Sequence, residues 1–149
     1  MKFKDFGFDN RLLEGIEASG YDEATPVQEQ VIPLVLAGKD VIASAQTGTG
    51  KTAAFSIPII QNLMSSTRDR RTIKALILTP TRELALQIDE SIAAYSSNVK
   101  ISHAVIFGGV SQNPQVDAIK RGVEIMTATP GRLLDLMQQG FIDLRNVEF

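Results

Sequence analysis

Four short apolar runs alternate with longer amphipathic stretches along the chain. The runs cover residues 41–43, 75–78, 104–107 and 123–126. Runs of this length are typical of buried strands, and the stretches between them have the spacing of crossover helices. The pattern therefore predicts an α/β domain built around a mostly parallel sheet, with helices on its faces.

The amphipathic stretches predict six helices. Four of them follow strands, at 51–64, 82–95, 112–121 and 132–138, and two, at 10–19 and 27–37, precede the first strand. Each apolar run ends in small, hydroxyl or proline residues. Open α/β sheets bind ligands at the carboxyl ends of their strands, because helix N-termini and free backbone N–H groups meet there. We therefore expect the chemistry at that edge of the sheet.

Composition narrows the class of protein. The chain has 149 residues, of which 44% are hydrophobic and 21% charged, as is usual for one soluble domain spanning 1–149. A net charge of -2 gives no general attraction to nucleic acid. The absence of cysteine excludes disulfides, and the single His103 cannot build a metal site alone.

No targeting signal or membrane span is predicted. The start of the chain lacks an apolar signal region, and the longest apolar stretch, Val31 to Ala37, is short and interrupted by Pro33. We expect a cytoplasmic protein without membrane contact. A basic cluster at 68–71, together with Lys74, has the character of a solvated loop rather than a nucleic-acid patch.

A phosphate-binding loop follows the first apolar run. Its residues are Ala45, Gln46, Thr47, Gly48, Thr49, Gly50, Lys51 and Thr52, and they match the P-loop pattern except that Ala45 replaces the first glycine. The two glycines let backbone N–H groups point at phosphate oxygens, Lys51 reaches the β and γ phosphates of ATP, and the Thr52 hydroxyl is a Mg²⁺ ligand. Lys51 and Thr52 are thus the candidate catalytic residues. A glycine turn that merely caps a helix would not require them.

The segment from Gly20 to Gln28, with Phe3 seventeen residues before Gly20, resembles the Q motif of DEAD-box RNA helicases. A carboxamide such as that of Gln28 can pair with the N6 amino group and N7 of adenine. Tyr21 is placed to stack on the base, and Phe3 completes the motif. Ala24 departs from the family's usual proline, which loosens the loop without removing an adenine contact.

Three further segments resemble RNA-binding motifs of the same family. They are Pro80-Thr81-Arg82-Glu83-Leu84 (motif Ia), Gly108-Gly109 (the GG motif) and Thr129-Pro130-Gly131-Arg132 (motif Ib). Hydroxyls, backbone N–H groups and an arginine at a helix N-terminus contact RNA phosphates and sugars without reading sequence. The run from Phe107 to Gln115 resembles the bacterial RhlE-type subgroup.

The resemblance covers essentially the whole chain and implies the amino-terminal RecA-like domain of a helicase, with the Q motif at 1–29. The chain stops at Phe149, where the family begins the strand that carries its Asp-Glu-Ala-Asp box. We therefore expect a truncated domain that does not turn over ATP alone, since the acidic strand and the arginine finger are absent. An exposed sheet edge would then favour self-association.

Two other functions remain open at this point. One is a binding module that holds nucleotide or RNA without catalysis. The other is a different P-loop enzyme, such as a small kinase or a DNA helicase, which leaves Gln28 and the three RNA-type loops unexplained.

Overall fold

Three parallel strands form the sheet in the part of the chain that the computed structural model describes, residues 1–48, 50–65 and 71–149. They are β1 (Ala75–Leu78), β2 (His103–Ile106) and β3 (Ile125–Ala128), in the order β1-β3-β2. All four residues of the central strand are buried, as expected for a strand covered on both faces. The prediction of an α/β fold with a mostly parallel sheet is confirmed.

The register of the ladder makes the three strands end at one level. Leu78 and Ile106 both lie opposite Ala128. The next residues continue the pairing, because the Thr79 N–H donates to the Ala128 carbonyl at 3.1 Å and the Thr129 N–H donates to the Ile106 carbonyl at 3.1 Å. The segments that follow the three strands therefore leave the sheet at the same edge.

The chain divides into two compact units. One comprises Met1–Thr67 and Ser91–Lys100, and the other comprises Arg68–Glu90 and Ile101–Phe149. The helices are a 3₁₀ turn (Phe3–Phe6), α1 (Asn10–Ala18), α2 (Pro26–Leu36), α3 (Lys51–Met64), α4 (Arg82–Tyr95), α5 (Asn113–Arg121) and α6 (Pro130–Gln138). The prediction of one domain stays a prediction.

The first unit is a helical layer. Helix α2 packs against α3, and the Asn62 side chain donates to the Val35 carbonyl at 3.1 Å across the pair. Its largest fully buried aliphatic side chains are Leu12, Ile16, Ile32, Ile57, Ile60, Leu63 and Ile92.

The second unit packs α5 and α6 on one face of the sheet. Met126 and Ala128 of the central strand share a core with Val116 of α5 and with Leu133 and Leu136 of α6. This core fixes where both helices start relative to the strand ends.

Helix bounds agree with the sequence pattern to within two residues. The largest helix difference is at α6, which begins at Pro130 rather than 132, since proline suits the first turn of a helix. Strand β3 lies two residues later than predicted, and β2 one residue earlier. None of the described helices combines the length and hydrophobicity that a bilayer span requires.

The predicted strand at 41–43 is wrong. These residues belong to no sheet in the described part of the chain, and Ile42 is fully exposed. Residues 41–45 instead border a groove of about 410 Å³ against α2, beside Val31 and Leu34. A strand needs a neighbour for its hydrogen bonds, and the described residues of this unit supply none.

A buried hydroxyl in the sheet suggests a substitution that should stabilise the fold. Thr127 in β3 has no exposed surface, and its hydroxyl has no hydrogen-bond partner among the described residues. An unpaired buried hydroxyl costs about 1–3 kcal/mol. Thr127→Val should therefore raise the free energy of unfolding by about 1 kcal/mol, measured by urea denaturation at an unchanged m-value.

Thr127→Ser is the control, because it keeps the unpaired hydroxyl and removes a buried methyl group. It should lower the free energy of unfolding. If Thr127→Val lowers the free energy of unfolding as much as Thr127→Ser does, the hydroxyl is paired in solution.

Candidate functional site

The loop before α3 has the shape of a phosphate cradle. Gly48 and Gly50 have φ of 84° and 83°, a left-handed conformation that residues with a side chain rarely adopt. Gly50 caps α3, so the backbone N–H groups of the first helical turn face the loop. Ala45 is half-buried, and Gln46 and Thr47 are exposed beside Gly48. Thr49 lies outside the described residues.

Lys51 lies across the mouth of this loop. Its ammonium group donates to the Ala45 carbonyl at 2.6 Å, and the side chain is exposed. Among the ion pairs of the described residues, none involves Lys51. Its positive charge is therefore uncompensated by a carboxylate, as a group that contacts phosphate must be. The carbonyl of Ala45 is the only acceptor that the structure shows for it within the described ranges.

Thr52 is the candidate ligand for Mg²⁺. It is half-buried in the first turn of α3, and its carbonyl accepts a hydrogen bond from the Ser56 hydroxyl at 2.6 Å. No cluster of three or more His, Cys, Asp or Glu side chains is found in the described ranges. A single hydroxyl suits Mg²⁺ bound to a nucleotide, because that ion keeps water and substrate phosphates as most of its ligands.

Gln28 is tied directly to the phosphate loop. Its amide Nε2 donates to the Gly50 carbonyl at 3.2 Å, and its Oε1 accepts from the Thr25 N–H at 2.9 Å. The latter bond and the Thr25 hydroxyl form the capping box of α2. A Cβ at position 50 would collide with the Gln28 amide, so close approach is a second reason for glycine there.

This placement changes the interpretation of Gln28. The side chain is completely buried, whereas a glutamine that merely begins a helix would be exposed. One N–H and one lone pair of the carboxamide remain after the two hydrogen bonds, and these are the groups that an adenine edge requires. In this structure Gln28 connects the Q-motif segment to the P-loop, and it presents no free surface.

Two aromatic rings, those of Phe3 and Tyr95, pack against Tyr21. The Phe3 ring is 1% exposed and meets Tyr21 edge-on with 5.7 Å between ring centres, and the Tyr95 ring meets Tyr21 edge-on at 5.9 Å. The Tyr95 hydroxyl donates to the Tyr21 hydroxyl at 3.5 Å. Burial, together with this hydrogen bond, raises the pKa of the Tyr95 phenol far above its usual range. Tyr21 is half-buried and can offer a ring edge to a ligand, whereas Phe3 acts through Tyr21.

The three segments predicted to contact RNA meet at the edge where the strands end. Pro80, Thr81 and Arg82 follow β1, Gly108 and Gly109 follow β2, and Thr129, Gly131 and Arg132 follow β3. All of them are exposed except Thr129 and Arg132. The Thr81 hydroxyl caps α4 by accepting from the Leu84 N–H at 3.2 Å, and this leaves the N–H groups of the first turn at the edge.

The two arginines of this edge differ in their surroundings. The guanidinium of Arg82 lies 5.4 Å from the centre of the Phe107 ring, and the side chain is otherwise exposed. The side chain of Arg132 is only 11% exposed. Its Nη2 donates to the Val110 carbonyl at 2.8 Å, and its Nη1 donates to the Gln115 side chain at 3.0 Å.

Sequence reasoning missed Gln115 and Tyr95. Gln115 is buried, and its Nε2 donates to the Phe107 carbonyl at 3.1 Å. A polar residue on the buried side of an amphipathic helix is the available signal for Gln115. Nothing in the pattern around Tyr95 indicates its contact with Tyr21, 74 residues away. Residues 68–70 of the basic cluster lie outside the described ranges, and Arg71 is exposed.

Comparisons with known proteins find similar RNA helicases. The ATP-dependent RNA helicase CshA of Limosilactobacillus reuteri is 44% identical over 148 residues, 99% of this chain and 29% of that protein. The DEAD-box ATP-dependent RNA helicase RhpA of Helicobacter pylori strain B128 is 47% identical over 133 residues, 89% of this chain and 26% of that protein.

A solved structure is also similar. The crystal structure of a DEAD box protein from the hyperthermophile Methanococcus jannaschii aligns with a TM-score of 0.89 at 39% identity, over 99% of this chain and 39% of that one. This chain thus spans less than a third of the length of CshA and RhpA.

A family model, DEAD/DEAH box helicase, matches residues 25–149, which include the phosphate loop and all three segments at the strand ends. The chain therefore belongs to the DEAD/DEAH box helicase family.

Proposed function

We propose that this chain is the ATP- and RNA-binding part of an ATP-dependent RNA helicase, in which ATP hydrolysis is coupled to the unwinding of RNA duplexes. The observation that carries the proposal is the hydrogen bond from Gln28 to Gly50. It brings the residue suited to recognise adenine next to Lys51, the residue suited to contact phosphates. Family membership and the two similar helicases support the same function.

The roles within the nucleotide site follow from the chemistry of each group. Backbone N–H groups from Gln46 to Thr52 hold phosphate oxygens, Lys51 adds a positive charge, and Thr52 is a ligand of Mg²⁺. Tyr21 contacts the base through its ring. Gln28 pairs with the edge of the base through its remaining N–H and lone pair, which requires the groups that cover it to move aside, because the side chain is fully buried. The bound Mg²⁺ would neutralise negative charge on the phosphates.

The roles at the strand ends follow in the same way. Thr81, Gly109, Thr129 and their neighbours offer hydroxyls and N–H groups to RNA phosphates and sugars, and Arg82 adds an unpaired positive charge. Such contacts bind RNA without reading its sequence. The run from Phe107 to Gln115 supports placing the chain in the RhlE-type subgroup.

Lys51→Ala should abolish measurable ATP binding, because it removes the charge-assisted contact between Lys51 and the phosphates, which contributes about 1.5–3 kcal/mol. Isothermal calorimetry with Mg²⁺ and ATP measures the effect. Lys39→Ala is the matched control, since Lys39 is exposed at the end of α2 and forms none of the described ion pairs. Equal ATP affinity in the wild type and Lys51→Ala would contradict the nucleotide site.

Gln28→Ala should reduce the preference for ATP over GTP, because guanine presents the wrong edge to a carboxamide that pairs with adenine. Competition of ATP and GTP for a fluorescent nucleotide measures the preference. Gln30→Ala, on an exposed position of the same helix, is the control.

An equal loss of affinity for both nucleotides would assign Gln28 a different role. The residue would then hold Gly50 and the phosphate loop in place without reading the base. A wild-type protein that does not distinguish ATP from GTP would exclude base recognition altogether.

Arg82→Ala should weaken binding to single-stranded RNA by the same factor for all sequences, and it should lower the salt dependence of binding by about 0.7 in the log–log slope. Fluorescence anisotropy of labelled oligouridylate and oligoadenylate across a salt series measures both effects. Arg121→Ala, exposed in the last turn of α5, should leave them unchanged. A loss confined to one RNA sequence would contradict backbone recognition.

A further inference from the structure

The loop from Gly108 to Ser111 is held at both of its ends by side chains from two helices. At its start, the Phe107 carbonyl accepts a hydrogen bond from the Gln115 side chain at 3.1 Å. Near its end, the Val110 carbonyl accepts one from Arg132 at 2.8 Å. Between these points Gly109 adopts a φ of 82°. Backbone carbonyls in fixed positions set the shape of the loop, including the direction of its N–H groups.

Gln115 and Arg132 act on the loop as one unit. The Oε1 of Gln115 accepts from Nη1 of Arg132 at 3.0 Å, so the two side chains are bonded to each other and to opposite ends of the loop. Gln115 is 9% exposed and the Arg132 side chain 11% exposed. Polar groups so deeply buried are ordered by their hydrogen bonds, and the loss of one partner leaves the other unpaired.

The guanidinium of Arg132 uses two of its five N–H groups to hold the loop and Gln115. Nη1 and Nη2 are bonded to Gln115 and Val110, and Nε lies 4.0 Å from the Asp135 carboxylate. The planar fork of arginine suits two acceptors at once, which a lysine ammonium cannot reproduce. Arg82, by contrast, forms none of the described ion pairs and is exposed.

A second pair of side chains joins the end of the loop to the end of α6. Gln112, at the start of α5, and Gln139, just beyond α6, exchange hydrogen bonds between their side-chain amides at 2.8 and 3.0 Å. Gln139 also donates to Asp135 at 3.0 Å. The end of the loop is therefore tied to α6 at two points, through Arg132 and through Gln139.

We infer that Gln115 and Arg132 are positioning residues that preform the Gly108–Gly109 loop for RNA phosphates. The inference rests on the proposed RNA-binding function of this edge. It gives the two arginines different roles: Arg82 acts through its charge, and Arg132 also holds the loop in place.

Replacing each arginine by lysine, one at a time, compares the two positions with the same change of side chain. Arg82→Lys keeps the charge, and RNA affinity should fall by no more than roughly twofold. Arg132→Lys also keeps the charge but loses the fork, so RNA affinity should fall by roughly threefold to tenfold. If Arg132 acts by its charge alone, Arg132→Lys will retain affinity as Arg82→Lys does, and the inference is overturned.

Gln115→Met removes both hydrogen bonds at nearly constant volume and without a change in charge. It should lower RNA affinity to the same extent as Arg132→Lys while leaving the salt slope unchanged. The double variant should be no weaker than either single one, since the two residues act through one loop. Gln138→Met, exposed at the end of α6, is the control. Additive losses in the double variant would overturn the inference.

Amide hydrogen exchange tests the positioning without RNA. Exchange at residues 108–111 should become faster in Gln115→Met and Arg132→Lys and stay unchanged in Arg82→Lys. Unchanged exchange in all three would overturn the inference, and a cooperative thermal unfolding transition verifies that each variant folds. A wild-type chain that binds no RNA refutes the proposed function, whereas RNA binding that is insensitive to Gln115→Met refutes only the positioning role.

Discussion

The parallel register of the ladder is the constraint on which the arrangement at the strand ends depends. Because Leu78 and Ile106 are both opposite Ala128, the segments after the three strands begin at one level of the sheet. Each segment then turns into a helix, whose first N–H groups are unpaired within the helix. Two of those segments also bring an arginine. A shift of one residue in either pairing would exchange the buried and exposed faces of a strand and displace its loop.

At the phosphate loop, one side chain has two structural roles. Gln28 completes the capping box of α2 and, with the same amide, holds the Gly50 carbonyl. One side chain thus fixes the start of a helix and the end of the phosphate cradle, and glycine at 50 satisfies both the φ of 83° and the close approach of that amide. The start of α2 and the shape of the phosphate loop are physically linked through Gln28. The phosphate loop and the strand-end segments belong to different compact units.

Residues of one chemical type have different surroundings at the edge where the strands end. Arg82 is exposed beside the Phe107 ring, whereas Arg132 is nearly buried, bonded to two neutral oxygens and 4.0 Å from the Asp135 carboxylate. An arginine that donates to two carbonyl-type oxygens stabilises a loop, and an exposed arginine attracts phosphate. Burial and hydrogen-bond partners, rather than residue identity, decide which task each performs.

The sequence by itself determined the helices and three of the strands, because apolar periodicity reflects burial. It also located the phosphate loop, because glycines that can adopt positive φ, followed by Lys51 and Thr52, are a local signal. It also placed the three segments at strand ends. Tertiary structure alone decided that residues 41–43 form no strand, because ladder hydrogen bonds need a neighbour that no local pattern supplies. It likewise decided that Gln28 is buried on Gly50, that Tyr95 lies against Tyr21, and that Gln115 joins Arg132 to the loop after β2. Those contacts join residues far apart in the chain, and packing of the helices, not their own sequence, brings the side chains together.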